Sequence, residues 1–447
     1  MRKLLVIGLD SAPPSILYDQ KTLNELPNLA SLIGDAARYE LVSCHPPITI
    51  PAWAVMVTGK TPGELGLYGF RHRKPGSYTE IYIASSHSVK DPTLWDFVAK
   101  KGGESLVVGI PPSYPPKPLK GWLITDFMTP SSAKQYTWPP ELKHEITSLF
   151  GDYVFDAEFR TLDRDRLVKD LWNMTKQHFK VLRHLLSSKP WSFAMFVEIG
   201  VDRVQHAFWG YMDPTHRKYQ PGNPYEQVVR NYYKLIDEEI GELLKTIPRD
   251  AVIITVSDHG AKPMKGALCI NQWLAEQGYL KLEEQPANPG IDLGKLKVDW
   301  SKTIAWGWGG YYARIFLNVK GREPNGVIDP SDYEYYRDLL IEELKRIKGP
   351  SGEPWNTKAY RPEELYPTCR GDKPDLIVYF DNLYWRSAGT LGWPSNYLPE
   401  NDTGPDDAVH DWIGVFAIKD PEKTVSQGDK GRIRIEDSFN QMKSFIT

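Results

Sequence analysis

The sequence predicts an α/β protein: a mostly parallel central sheet sandwiched between helices, with a cap inserted over one edge. Two observations predict it. Short apolar, β-branched-rich runs recur at residues 4–9, 106–110, 193–197, 252–256 and 376–380, as in strands buried on both faces. Longer amphipathic stretches lie between them, a charged one at 165–187 and one at 225–246 with apolar residues at helical spacing. Strands alternating with helices give a sheet covered on both sides.

The 447 residues are 41% hydrophobic and 25% charged, enough for a sizeable core. The core is expected at 1–262 and 401–447. Residues 263–400 read as a cap contributing to a pocket. They are rich in Pro, Gly and aromatics, including Trp306-Gly307-Trp308-Gly309-Gly310-Tyr311-Tyr312. A net charge of −3 offers no field for a nucleic-acid polymer or an anionic membrane. The three cysteines, Cys44, Cys269 and Cys369, are too few and scattered for a disulfide framework or a Cys-type zinc site, and fit a reduced cytoplasmic protein. No apolar run approaches the ~18 residues of a spanning helix. The basic-then-apolar opening reads as the first strand, because it ends on Asp10 rather than on a small-residue cleavage site.

Chemistry-bearing residues gather at the ends of these runs. Asp10 ends the first. Asp202 and His206 follow 193–197, and Asp258-His259-Gly260 follows 252–256. His410 precedes the apolar stretch 412–418. In open α/β sheets, ligands bind beyond the carboxyl ends of the strands. Three carboxylates and three imidazoles suit two divalent metal ions, Zn²⁺ first, with Mn²⁺ or Fe²⁺ as competitors. Asp202 and His206 are four apart and share a helix face. Taken singly, each residue has an ordinary reading: a strand-end Asp caps helices, and Asp-x-x-x-His is a common surface pair. Their joint placement is what points to metal. Thr49 is the nucleophile candidate. It precedes a helix with Pro51 in its first turn and Gly59 at its end, where free N–H groups favour an anion. By itself it would be read as an N-cap.

These motifs resemble the type I phosphodiesterase and nucleotide pyrophosphatase branch of the alkaline phosphatase superfamily. The matching elements are Asp10, the Thr49-Ile50-Pro51-Ala52-Trp53 segment running to Thr58-Gly59 and Pro62, Asp202-x-x-x-His206, Ser257-Asp258-His259-Gly260 and His410. Gly321-Arg322-Glu323-Pro324-Asn325-Gly326 is similar to a signature of prokaryotic phosphohydrolases or phosphomutases in that branch. The resemblance implies an alkaline-phosphatase-like fold and a small phosphate-ester substrate cleaved through phosphothreonine at Thr49. It implies one metal among Asp10, Thr49, Asp258 and His259, and a second held by Asp202, His206 and His410. One feature departs: nucleotide pyrophosphatases usually carry an Asn donor to a phosphate oxygen, and none follows Thr49 closely here; three residues on stands Ala52. The Ile50 N–H or Lys262 would replace it, and Trp306 and Trp308 are candidates for an aromatic substrate wall. Alternatives on the same site are a phosphomonoesterase or phosphomutase, or a non-catalytic metal-binding protein. A sulfatase is excluded, because the Thr49 segment lacks the Cys or Ser that becomes formylglycine. Oligomeric state is not legible.

Overall fold

A computed structural model describes residues 2–446. The chain forms two compact units. One comprises residues 1–65, 84–261 and 410–447, the other 66–83 and 262–409. Residues 66–83, which the sequence places in the core, group with the second unit.

The first unit is built on a nine-stranded sheet. In chain order its strands are β1 (Leu4–Leu9), β2 (Ala37–Val42), β3 (Ser105–Val108), β4 (Gly121–Ile124), β5 (Thr137–Trp138), β6 (Phe193–Glu198), β7 (Val252–Val256), β8 (Ile413–Lys419) and β9 (Gly428–Arg434). They lie in the order β9-β2-β8-β7-β1-β6-β3-β4-β5. The central strands β7, β1, β6 and β3 run parallel. β8 runs antiparallel to both its neighbours, β7 and β2. The middle strands are apolar on both faces because both faces are covered: β1, β6 and β7 are buried throughout.

Four helices matter for the site: α1 (Thr49–Thr58), α2 (Arg164–Ser188), α3 (Gly200–Met212) and α4 (Val228–Leu244). In α2, Leu167, Leu171, Met174, His178, Leu182 and Leu185 are buried at three- and four-residue spacing. Every residue of α1 is buried, as suits a helix with apolar residues all round. Gly59 ends it at φ 68°, a left-handed cap that an L side chain would strain. Gly8 in β1 makes room for this helix: a Cβ there would come within 2.6 Å of the Trp53 ring.

The second unit contains a four-stranded sheet in the order 305–308, 313–317, 376–379, 358–360, with every neighbouring pair antiparallel. The run at 376–380 thus belongs here and not to the parallel sheet. Leu376, Ile377, Val378 and Tyr379 are fully buried, and two-faced burial gives the same apolar run whichever way the neighbours point.

Candidate metal centre

Topology brings the candidate residues together. β7, β1 and β6 are parallel neighbours, so Asp258, Asp10 and Asp202 emerge after the same ends of adjacent strands. β2 runs antiparallel to β8 and ends at that edge too, and α1 with Thr49 follows it. The reversed β8 starts there, so His410 reaches the same place by preceding its strand. Asp202 and His206 sit one turn apart near the start of α3.

All seven side chains are buried, none more than 2% exposed. His259 Nε2 lies 3.1 Å from Asp258 Oδ2, 3.8 Å from Asp10 Oδ1 and 3.4 Å from Thr49 Oγ1. His206 Nε2 is 3.2 Å and His410 Nε2 3.7 Å from Asp202 Oδ1. The rings of His259 and His410 stack at 3.8 Å. Two groups have donor atoms close enough for one ion each: Asp10, Asp258 and His259, and Asp202, His259 and His410. His259 belongs to both, and His206 borders the second through Asp202.

The electrostatics fit bound cations. Burial, reinforced by Asp202, pushes the Asp10 carboxyl well above its usual range. Burial and Asp10 do the same to Asp258. Asp202 is held well below its usual range, because His206 and Arg203 outweigh its burial. Burial lowers His259 to about 4 and drives His410 well down, so both rings are neutral. Each donates its Nδ1–H to a main-chain carbonyl, His259 to Gly260 at 3.0 Å and His410 to Pro47 at 2.8 Å. Their Nε2 lone pairs therefore face carboxyl oxygens, and among the described residues Asp10 Oδ1 and Asp258 Oδ2 have no hydrogen-bond donor. Without metal, such a lone pair needs a proton on the facing carboxyl, as the raised Asp10 and Asp258 allow; with a divalent cation between them no proton is needed, and a ligating histidine is normally oriented through its other nitrogen in this way.

The remaining candidates, put forward as substrate contacts, are not among these donor atoms. Ile50 is the second residue of α1, in the first turn where main-chain N–H groups lack intrahelical acceptors. Lys262 donates to the Asn382 carbonyl at 2.6 Å and lies over the Tyr384 ring, within the second unit. Trp306 cannot form a substrate wall: it is fully buried, stacked on Phe316 and set edge-on to Tyr78 and Trp300. Trp308 is only partly buried.

Sequence reasoning missed the residues that orient these groups. Trp53 Nε1 donates to Asp10 Oδ2 at 2.7 Å, joining α1 to β1; it stands one helical turn after Thr49, which was the available signal. Arg203 donates to Asp202 Oδ2 at 2.7 Å and grips Asp156 with Nε and Nη2. No spacing signals that pair across 47 residues. Ser11 takes φ 64°, which turns its N–H onto Asp258 Oδ1 at 3.1 Å, and Gln205 Nε2 donates to the Ser11 carbonyl at 3.1 Å.

A sequence profile described as type I phosphodiesterase / nucleotide pyrophosphatase matches residues 4–406. Murine ectonucleotide pyrophosphatase / phosphodiesterase 5 is similar in structure, with a TM-score of 0.57 at 12% identity, over 100% of this chain and 95% of that one. Phosphonoacetate hydrolase from Sinorhizobium meliloti gives 0.62 at 16% identity, over 100% and 96%. At such identities these likenesses show a common fold. No curated protein matches the chain significantly in sequence. The profile match runs through both units and takes in Asp10, Thr49, Asp202, His206, Asp258 and His259 in order. On that match, the chain belongs to the type I phosphodiesterase / nucleotide pyrophosphatase family.

Proposed function

We propose that the chain hydrolyses phosphoric esters by two-metal phosphoryl transfer, with Thr49 as nucleophile and a phosphothreonine intermediate. The observation that carries this reading is the buried cluster of three carboxylates and three imidazoles with Thr49 Oγ1 at its edge, 3.4 Å from His259 Nε2. Two divalent cations held there, Zn²⁺ by the donor set with Mn²⁺ or Fe²⁺ as competitors, would acidify the threonine hydroxyl and offset charge on the phosphoryl oxygens. Asp10, Asp258 and His259 would hold one, and Asp202, His206 and His410 the other. Thr49 Oγ1 attacks phosphorus and the bond to the leaving oxygen breaks. Water then cleaves the phosphothreonine and restores the hydroxyl. The first-turn N–H of Ile50 is the donor we assign to a phosphoryl oxygen in place of the missing Asn.

A diester is the favoured substrate. It carries one negative charge, and Arg203, the guanidinium beside the cluster, is already engaged by Asp156 and Asp202. The structural neighbours were solved with small phosphorus-containing ligands, the murine protein in an inactive form with AMP and the bacterial hydrolase with phosphonoformate. The rival reading, a phosphomonoesterase or phosphomutase, draws on Ala52, which removes the amide donor typical of nucleotide pyrophosphatases. Comparing kcat/KM for bis-p-nitrophenyl phosphate and p-nitrophenyl phosphate on metal-loaded protein separates the two. A monoester preference of about tenfold, roughly 1.4 kcal/mol, selects the rival. Rapid acid quench followed by mass spectrometry should find phosphate on Thr49; turnover without it would remove Thr49 from the mechanism.

A further inference from the structure

The second unit keeps its buried arginines in company. Arg73 binds Asp372 at 2.6 Å and Glu323 at 2.7 Å. Arg337 pairs with Glu334 and Glu363, and Arg386 binds Asp406 at 2.7 Å. Arg314, on the strand Ala313–Leu317, is 7% exposed and has no carboxylate partner among the described residues. Its one hydrogen bond among the described residues is from Nη1 to the Arg71 carbonyl at 2.5 Å, and its buried Nε–H meets no acceptor among them. The guanidinium lies over Trp308, 5.1 Å from the ring centre. A buried charge left without a counter-ion is costly, and its neighbour Arg71 adds to the deficit of negative charge.

A second donor lies close by. His72 Nε2 accepts the Tyr68 N–H at 3.0 Å, so the ring proton is on Nδ1, which is buried and has no acceptor among the described residues. The ring stacks on Tyr82 at 5.2 Å. Burial, helped by Arg314, lowers His72 to about 3, so it stays a neutral donor. Asp372, whose charge reaches Arg314, has both oxygens on Arg73. A guanidinium and an imidazole N–H are thus left with donors for an oxyanion, beside the partly exposed face of Trp308.

We propose that the second unit holds an anion-binding site built on Arg314, with His72 beside it, which takes the carboxylate or phosphate group of a small organic ligand. The planar fork of arginine matches either group. The site stands whether or not Thr49 is the nucleophile.

Titration of the full-length, metal-loaded protein with succinate and with inorganic phosphate tests it, followed by calorimetry and by the ¹⁵N signal of Arg314 Nε, assigned through Arg314→Lys. One of the two anions should shift that signal saturably, and Arg314→Gln should weaken its binding by roughly tenfold or more. Arg314→Lys, which keeps the charge and loses the fork, should fall between. A response to succinate alone assigns the site to carboxylates, and a response to phosphate alone assigns it to phosphate groups. The proposal is overturned if neither anion moves the Nε signal of the unmodified protein. It is also overturned if Arg314→Gln binds both anions as tightly as the parent, which would place any phosphate at the metal centre.

Discussion

In the first unit, Asp10, Asp202 and Asp258 are drawn together around a single arginine, Arg203 on Asp202, and among the described residues Asp10 Oδ1 and Asp258 Oδ2 have no donor. In the second, Asp375 and Glu323 lie just as deep, yet each of their oxygens is served. Arg322 grips both oxygens of Asp375, whose Oδ2 also accepts the Leu317 N–H, while Arg322 and Arg73 share Glu323. Depth of burial is the same and the completeness of pairing differs. A satisfied network holds a fold together; a gathered but unsatisfied one needs something from outside the chain. By that criterion Gly321–Gly326, which contains both Arg322 and Glu323, is a structural knot.

The sharpest way to break this contrast is at Thr49. Thr49→Ala should lower turnover by on the order of 10⁴-fold while leaving metal content and unfolding midpoint unchanged, and Thr49→Ser should retain measurable activity. An active Thr49→Ala protein would reduce the cluster to a metal store. Next in size is His410→Ala. Elemental analysis should show the parent with two divalent ions per chain and the variant with one, its affinity for the other falling on the order of 100-fold. Only trace metal in the parent after reconstitution would mean the unsatisfied oxygens have another cause.

Asp375→Asn attacks the satisfied side. It should cost about 2 kcal/mol in urea unfolding and leave the metal stoichiometry at its parental value. Loss of metal in this variant would show that the two units are not energetically separate. The smallest effect is expected at Asp420, which Arg2, Thr424 and the Glu422 N–H hold at a pKa of about 2. A depressed carboxyl contributes stability above its unfolded pKa and loses it as the pH falls through the folded one. Asp420→Asn should therefore cost about 1 kcal/mol near pH 6, after allowance for solvent screening. The two proteins should converge as the pH falls from about 4 toward 2, and a constant difference over that window would assign the effect to packing.

Much of the first unit is legible in the sequence because its chemistry sits at strand ends, where a run of apolar residues stops at an acid. That is true of Asp10 and Asp258, and the four-residue spacing of Asp202 and His206 needs only a helix to align them. The support is less legible. Arg203 and Asp156 meet only through the fold, and the left-handed turn at Ser11 carries none of the usual glycine signal. Aromatic density around Trp306 reads equally as a wall or as a core, and only burial tells them apart. The same ambiguity hides the direction of the strand at 376–379: an apolar run records that both faces are covered, not how its neighbours run.

The strand β8 has a consequence for how the protein is made. It separates β2 from β7 in the sheet, yet the ribosome reaches it only after the whole of the second unit, residues 66–83 and 262–409. Until residues 413–419 emerge, β2 and β7 have no shared partner, and His410, on the short strand Ala408–Asp411 just before β8, is not yet in place. The nascent chain can bring Asp10, Asp202 and Asp258 together early but cannot finish the cluster. From the emergence of Asp258 to that of residue 413, a growing chain therefore carries an incomplete, acid-rich cluster. A cation met at that stage would find the cluster without His410, so the full set of donors proposed for two metals is complete only once β8, the strand next to β7, has been made.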